Sequence, residues 1–274
     1  MDKKAELLRV DWGRHEEQIR RIASVFGLTS DQADELVFSG ELDQVYGKVY
    51  SSVENWMRLP LSRFFIGVAA HGLLFVNKAI YGDLVQDGFY NLQVGFPGRM
   101  TIIRKIPTMR KDAHEEDVPA DQLSAFAGAA GKNRKDDRIL GKWAEFLRRW
   151  GIDEFPQLLD IAEGRISLFG LRGLTDKELK DLQNLQDYRD DTDIDNRASA
   201  IWPLLDKYLK VVKRAEPDEA LVSPLSSAGS KDLNFYSRLY GDALLMSVLA
   251  EDGSITKKLL WNTFWTRLFG KGVR

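Results

Sequence analysis

The feature that most constrains this chain is a stretch that is apolar except for one histidine. Phe64-Phe65-Ile66-Gly67-Val68-Ala69-Ala70-His71-Gly72-Leu73-Leu74-Phe75-Val76 is preceded by Arg58 and Arg63 and followed by Lys78. As a helix it reaches about 20 Å, short of the roughly 30 Å hydrocarbon core of a bilayer. No apolar run of 18 or more residues exists, so no ordinary spanning helix is expected. Two arrangements fit: the buried core helix of a globular domain, or a re-entrant helix that enters and leaves a membrane by one face.

Composition narrows the remaining choices. The 274 residues are 44% apolar and 29% charged, a globular balance in a chain long enough to bury a core unaided. A net charge of −2 argues against a dedicated nucleic-acid binder, so no nucleic-acid partner is expected. Cysteine is absent, which excludes disulfide scaffolds, thiolate-held zinc, iron–sulfur clusters and thiol nucleophiles. With only His15, His71 and His114, a histidine-rich metal site is out of reach. Residues Met1–Arg9 carry charges throughout and do not read as a secretory signal, so the expected side of the membrane is cytoplasmic.

Patterning then divides the chain. Residues 1–55 read as a helical extension, with Leu7, Ile19, Ile22, Ala23 and Phe26 near helical spacing, a stop at Gly27 and a capping box from Thr29 to Gln32. Residues 88–110 mix β-branched and aromatic residues with glycines and predict a hairpin; 111–135 read as loop. Ile139, Trp143, Phe146, Leu147 and Trp150 predict an amphipathic helix ended by Gly151. Asp153 is the expected N-cap of the next helix, with Pro156 in its first turn. Ile166–Gly170 reads as a short buried strand, Thr175 with Glu178 as a second capping box, 215–231 as loop, and two helices close the chain.

Several motif tests fail. Gly131-Lys132 lacks the Walker pattern, because Phe126 and Asn133 stand where Gly and Ser or Thr are needed. Asp191-Thr192-Asp193-Ile194-Asp195 starts like a calcium loop, but Asn196 and Trp202 occupy the positions of its Gly and Glu. Neither a Gly-x-Ser-x-Gly elbow nor a His-Glu-x-x-His pair is present.

Residues 132–172 carry the candidate chemistry. A basic stretch, Lys132, Arg134, Lys135, Arg138, Lys142, Arg148 and Arg149, is followed by the adjacent carboxylates Asp153 and Glu154. Arginines can clamp phosphate oxygens, and a helix N-terminus adds free N–H groups. A carboxylate beside a clamped phosphate can attack phosphorus, given a divalent cation to offset repulsion between anions. The plainer alternative is that Asp153 only caps a helix and Glu154 only complements its dipole.

The wording of this segment resembles a known signature. Gly151-Ile152-Asp153-Glu154-Phe155-Pro156-Gln157-Leu158-Leu159, then Glu163-Gly164-Arg165-Ile166-Ser167-Leu168-Phe169-Gly170-Leu171-Arg172, is similar to the Leu-Asp-Glu-Leu-Pro-Gln-Leu, Gly-Asp-Met-Ser and Gly-Pro-Arg-Pro blocks of the bacterial sugar transferases, the monotopic phosphoglycosyl transferase family. Arg138, Gly141 and Leu147-Arg148 sit where that family has Arg, Gly and Leu-Arg, and Val94-Gly95-x-x-Gly98 through Lys105-x-x-Thr108-Met109 resembles a further stretch upstream. The likeness extends loosely to Leu239-Tyr240-Gly241-Asp242 and the Leu259–Phe269 helix.

The resemblance implies an α/β fold: a small catalytic domain over residues 56–274, held on the cytoplasmic face of the bacterial inner membrane as a monotopic protein by a re-entrant segment at about 58–81 and by interfacial helices, after an N-terminal helical extension over 1–55. Leu260, Trp261, Phe264, Trp265 and Leu268 form an apolar stripe suited to such an interfacial helix. The implied reaction moves a sugar phosphate from a nucleotide sugar, usually a UDP-sugar, to polyprenyl phosphate, releasing UMP and initiating glycan or exopolysaccharide assembly. In it Asp153 is the nucleophile, Glu154 supports it, both hold Mg2+, and Lys105, Arg148, Gln157 and Arg172 bind substrate. Membrane lipids are implied partners, and residues 1–55 could take a protein partner. Two other readings fit the same residues: a non-catalytic relative that binds lipid or a partner, and an unrelated soluble α/β protein.

The departures are specific. Gly170-Leu171-Arg172-Gly173 lacks both prolines of the family turn, Arg165 replaces an acidic residue, Pro107 replaces an arginine, and the Ser-Pro break of the re-entrant helix is missing. Pro217-Asp218-Glu219-Ala220 is the nearest counterpart to a Pro-Gly-Ile-Thr-Gly segment.

Overall fold

A computed structural model describes residues 12–38, 52–111, 138–187, 201–215, 220–223, 225, 233 and 235–251. The expected loop at 111–135, the acidic turn at 191–195 and the interfacial helix at 259–269 fall outside this set, apart from residue 111. The described chain is mixed α/β and mostly helical.

Helices α1 (Trp12–Phe26) and α2 (Ser30–Phe38) meet at Gly27, whose φ of +74° suits the residue without a Cβ. The capping box forms as expected: Thr29 N–H donates to Gln32 Oε1 at 3.0 Å and Gln32 N–H to Thr29 Oγ1 at 3.3 Å. Ile22, Ala23, Ala33 and Val37 are buried in one core with α8 (Ile201–Ala215) and α9 (Phe235–Glu251). His15 Nδ1 lies 2.7 Å from Ser237 Oγ, and the Tyr240 hydroxyl donates to Asp34 Oδ1 at 2.6 Å, so polar contacts join the two ends of the described chain.

The short α3 (Ser52–Met57) leads into α4 (Pro60–Tyr81). Proline at its first turn has no amide to leave unpaired, and Gly82 at φ +54° ends it with its N–H on the Lys78 carbonyl. The helix is longer than its purely apolar segment and, by length and composition, long enough to cross a membrane. Its buried residues, Ser62, Ile66, Ala70 and Asn77, are few and mostly small. Phe64, Phe65, Val68 and Phe75 are exposed, Phe75 at 75%. Of the two arrangements the sequence leaves open, the buried core helix is not what forms: this side of α4 finds no cover among the described residues.

The hairpin forms where the glycines predict it, as β1 (Tyr90–Phe96) and β2 (Arg99–Lys105), antiparallel from Tyr90 opposite Lys105 to Phe96 opposite Arg99. Gly95 is required by close approach, since a Cβ there would lie 2.1 Å from the Arg99 carbonyl oxygen. The amphipathic helix is α5 (Lys142–Trp150), ended by Gly151 at φ +67°. Its buried residues are Ala144 and Leu147, while Phe146 and Trp150 are exposed beside Trp143, which stacks on Phe146 at 5.5 Å.

After α5 the chain departs from expectation. Ile152–Glu154 form a 3-10 turn, and α6 (Gln157–Ala162) starts after Pro156. Asp153 is therefore not the cap of α6, and neither carboxylate sits at an α-helix N-terminus. The buried strand is β3 (Ser167–Phe169), followed by β4 (Leu174–Thr175) and α7 (Asp176–Asp187). One sheet runs β2-β1-β4, and β3 pairs in parallel with β5 (Ala220–Val222) inside the stretch expected to be loop.

A buried carboxylate fastens α6 to β2. The Arg104 backbone N–H donates to Asp160 Oδ2 at 2.9 Å and its Nε to Asp160 Oδ1 at 2.8 Å. Arg165 also bonds Asp160, and Glu163 completes the cluster 2.9 Å from Arg104 and 2.8 Å from Arg165. The acidic-to-basic departure at Arg165 is thus matched by a carboxylate in the preceding helix. Removing one member of a buried pair leaves the others uncompensated. Asp160→Ala is expected to lower stability in chemical denaturation by about 3 kcal/mol; a loss below about 1 kcal/mol would show the cluster to be dispensable.

Asp242 on α9 is buried, and neither carboxylate oxygen has a hydrogen-bond partner among the described residues. Burial pushes its pKa up to about 7, against the opposing Arg238 charge and with the Glu178 charge adding to the rise. Between the ordinary 3.8 and about 7 the native state keeps a proton that the unfolded state has lost. The stabilisation is complete below that window and is lost as pH rises through about 7. Asp242→Asn should therefore raise Tm more at pH 8 than at pH 5; an equal change at both pH values would contradict this.

Candidate active site

The site is built where β2, the 3-10 turn and the loop after β3 converge. Lys105 is the last residue of β2, and the next residue, Ile106, donates its N–H to the Asp153 carbonyl at 2.8 Å. That bond sets the turn beside the strand end. Lys105 Nζ then reaches Glu154 Oε1 at 3.2 Å, and Arg172 Nη2 reaches the same oxygen at 3.4 Å. The Lys105 and Glu154 side chains are mostly shielded, at 16% and 14% exposure, whereas Arg172 is 38% exposed. One carboxylate is therefore shared by two cations from separate elements, and one of them opens to solvent.

The other expected site residues surround this group. Asp153 is half-buried and precedes Glu154 on the turn. Gln157 is buried at the start of α6, and its side-chain nitrogen has no hydrogen-bond partner among the described residues. Arg148, in the last turn of α5, donates from Nη1 to Thr108 Oγ1 at 3.4 Å. The structure thus brings Lys105, Glu154 and Arg172 into direct contact and carries Asp153 with them along the chain. It turns Arg148 toward Thr108, in the segment just after Lys105.

Residues missed at the sequence level hold this arrangement. Arg238 on α9 donates from Nη2 to the carbonyls of Arg172 and Gly173, both at 2.9 Å, and from Nη1 to Glu178 Oε1 at 2.7 Å. Burial raises the Glu178 pKa, but Arg238, the Thr175 hydrogen bonds and Arg172 outweigh it and hold the carboxyl below its ordinary value. The Thr175 N–H donates to Glu178 Oε2 at 2.8 Å, the capping box expected there. Asp160 had a visible signal, a lone carboxylate between Leu159 and Ile161. Arg238 had none, because its partners are the Glu178 side chain 60 residues away and two backbone carbonyls 65 and 66 residues away.

The α4 and α5 helices are tied at the edge of the site. The Ala144 N–H donates to the Tyr81 hydroxyl at 2.9 Å, and Asn77 Nδ2 donates to the Pro107 carbonyl at 2.7 Å. Among the described residues no cluster of three or more Asp, Glu, His or Cys could hold a metal ion by itself. Asp153 and Glu154 supply adjacent hard oxygen donors, and Mg2+ is commonly held by one or two carboxylates together with substrate phosphates. The donor set fits that mode, not an all-protein cage.

The bacterial sugar transferase family pattern matches residues 50–212, more than half of the chain. The match covers α4, the hairpin, α5, the carboxylate turn and Arg172, and stops before β5 and α9, where the sequence likeness was loose. Over 135 residues the chain is 31% identical to the galactosyl transferase CpsE of Streptococcus agalactiae serotype III (strain NEM316), which covers 48% of this chain. The matched part is only 29% of that relative's length. From the extent of the family match, with the Asp-Glu turn and its two cations inside it, the chain belongs to the bacterial sugar transferase family.

Proposed function

We propose that the protein transfers a sugar 1-phosphate from a UDP-sugar to polyprenyl phosphate, through a covalent intermediate on Asp153, as the first step in assembling a glycan or exopolysaccharide. The observation that carries this reading is the Glu154 carboxylate shared by Lys105 and Arg172 directly beside Asp153. A pair of cations poised on one carboxylate can transfer part of its hydrogen bonding to incoming phosphate oxygens.

In this mechanism the Asp153 carboxylate attacks the β-phosphorus of the donor. The bond from that phosphorus to the bridging oxygen breaks, and UMP leaves with the oxygen. A polyprenyl phosphate oxygen then attacks the same phosphorus and frees Asp153. Lys105 and Arg172 orient and neutralise the diphosphate, Glu154 holds those cations and supports Asp153, Gln157 offers its buried amide, and Arg148 adds positive charge near the segment after Lys105. Asp153 and Glu154 would hold Mg2+, which supplies further charge neutralisation between carboxylate and phosphate.

The lipid acceptor places the site at a membrane. We assign α4 as the re-entrant helix of a monotopic protein on the cytoplasmic face of the inner membrane. The uncovered Phe64, Phe65 and Phe75, together with the exposed Phe146 and Trp150 of α5, support this assignment.

Purified protein with a panel of UDP-sugars, UDP-galactose among them, and undecaprenyl phosphate should release UMP. Asp153→Asn should abolish release without unfolding the protein, since the contact holding the turn uses the Asp153 backbone. Glu154→Gln should lose about 100-fold or more, and Arg172→Ala should weaken donor binding by about 1.5–3 kcal/mol. Near-wild-type release from Asp153→Asn would overturn the nucleophile assignment. No release with any donor would favour the non-catalytic alternative. Replacing both Phe65 and Phe75 by Asp should shift the protein from liposome pellets to the soluble fraction; wild-type protein absent from those pellets would contradict the membrane assignment.

A further inference from the structure

We infer that Arg238 is a positioning residue for Arg172, doing from a distant helix what no residue within the 170–173 turn can do locally. The inference rests on the proposed donor-binding role of Arg172. Gly170-Leu171-Arg172-Gly173 contains no proline, and glycine at either end leaves its backbone free of local restriction. Upstream, the turn is tied by the Leu171 carbonyl, which accepts the Ala220 N–H at 2.9 Å. At Arg172 itself, one Arg238 nitrogen takes two successive carbonyls, those of Arg172 and Gly173, both at 2.9 Å. Fixing both carbonyls restricts the peptide plane between them, and with it the direction in which the Arg172 side chain leaves the backbone. The second Arg238 nitrogen is held by Glu178 at 2.7 Å, so the planar fork cannot rotate freely.

The helix carrying Arg238 is itself held by the N-terminal helices. Ser237 meets His15 of α1, and Tyr240 bonds Asp34 of α2. Residues 12–38 lie outside the family match, yet they reach the candidate site by this path: α1 and α2 to α9, Arg238 to the 172–173 carbonyls, Arg172 to Glu154.

The test is Arg238→Lys, which keeps the cation but cannot span two carbonyls and a carboxylate in one plane. In the UMP-release assay with UDP-galactose and undecaprenyl phosphate, its KM for the donor should rise about tenfold with kcat changed less than about threefold. In an Arg172→Ala background the same change should add less than about twofold, because the residue it positions is gone. A KM rise below about twofold, or an effect that multiplies undiminished onto Arg172→Ala, would overturn the inference. If wild-type protein turns over no UDP-galactose, the assay speaks against that donor and hydrogen exchange decides on Arg238. Faster exchange of the 171–174 amides in Arg238→Lys, with α8 unchanged, would support the positioning role; unchanged exchange in the turn would overturn it.

Discussion

The site depends on the buried bond between Asp160 and Arg104. Arg104 gives both its backbone N–H and its guanidinium to one carboxylate, so strand β2 and helix α6 cannot slide independently. Lys105 is the next residue of the strand, and the Asp153–Glu154 turn lies two residues before the helix. Their meeting is a consequence of that clamp and of the Ile106–Asp153 backbone bond. A buried ion pair is costly to form and costlier to break. Its value here lies in register: a shift of one residue along β2 would send Lys105 to the other face of the hairpin.

Local signals were legible where the physics is local. Glycines marked the hairpin and the ends of α1 and α5, and both capping boxes formed between the residues that spell them. The Asp-Glu pair and its basic neighbours were visible as chemistry before any fold was known. What sequence patterning could not supply was tertiary. Asp153 was expected to cap a helix, but a 3-10 turn intervenes because α6 starts only after Pro156. The strand at Ala220–Val222 exists because β3 offers it a partner, not because of its own propensity. The role of Arg238 rests on backbone carbonyls, which leave no residue pattern to read.

Amphipathicity in α5 told only half of its story. Its apolar stripe was visible from spacing, but spacing does not say what covers it. Phe146 and Trp150 remain exposed, as do the phenylalanines of α4, and the Tyr81–Ala144 bond joins the two helices. Among the described residues this aromatic surface on two tied helices has no cover, and the proposed lipid acceptor and membrane surface would supply an apolar neighbour for it.

The central claim is that Asp153 takes the sugar phosphate onto itself. Intact-protein mass spectrometry after mixing wild-type protein with UDP-galactose and Mg2+, with no acceptor present, tests it most directly. The account predicts a mass increase of one hexose phosphate, mapped to Asp153, that disappears when undecaprenyl phosphate is added. An unmodified protein that forms UMP only when the acceptor is present would contradict it and point to direct transfer between the two substrates.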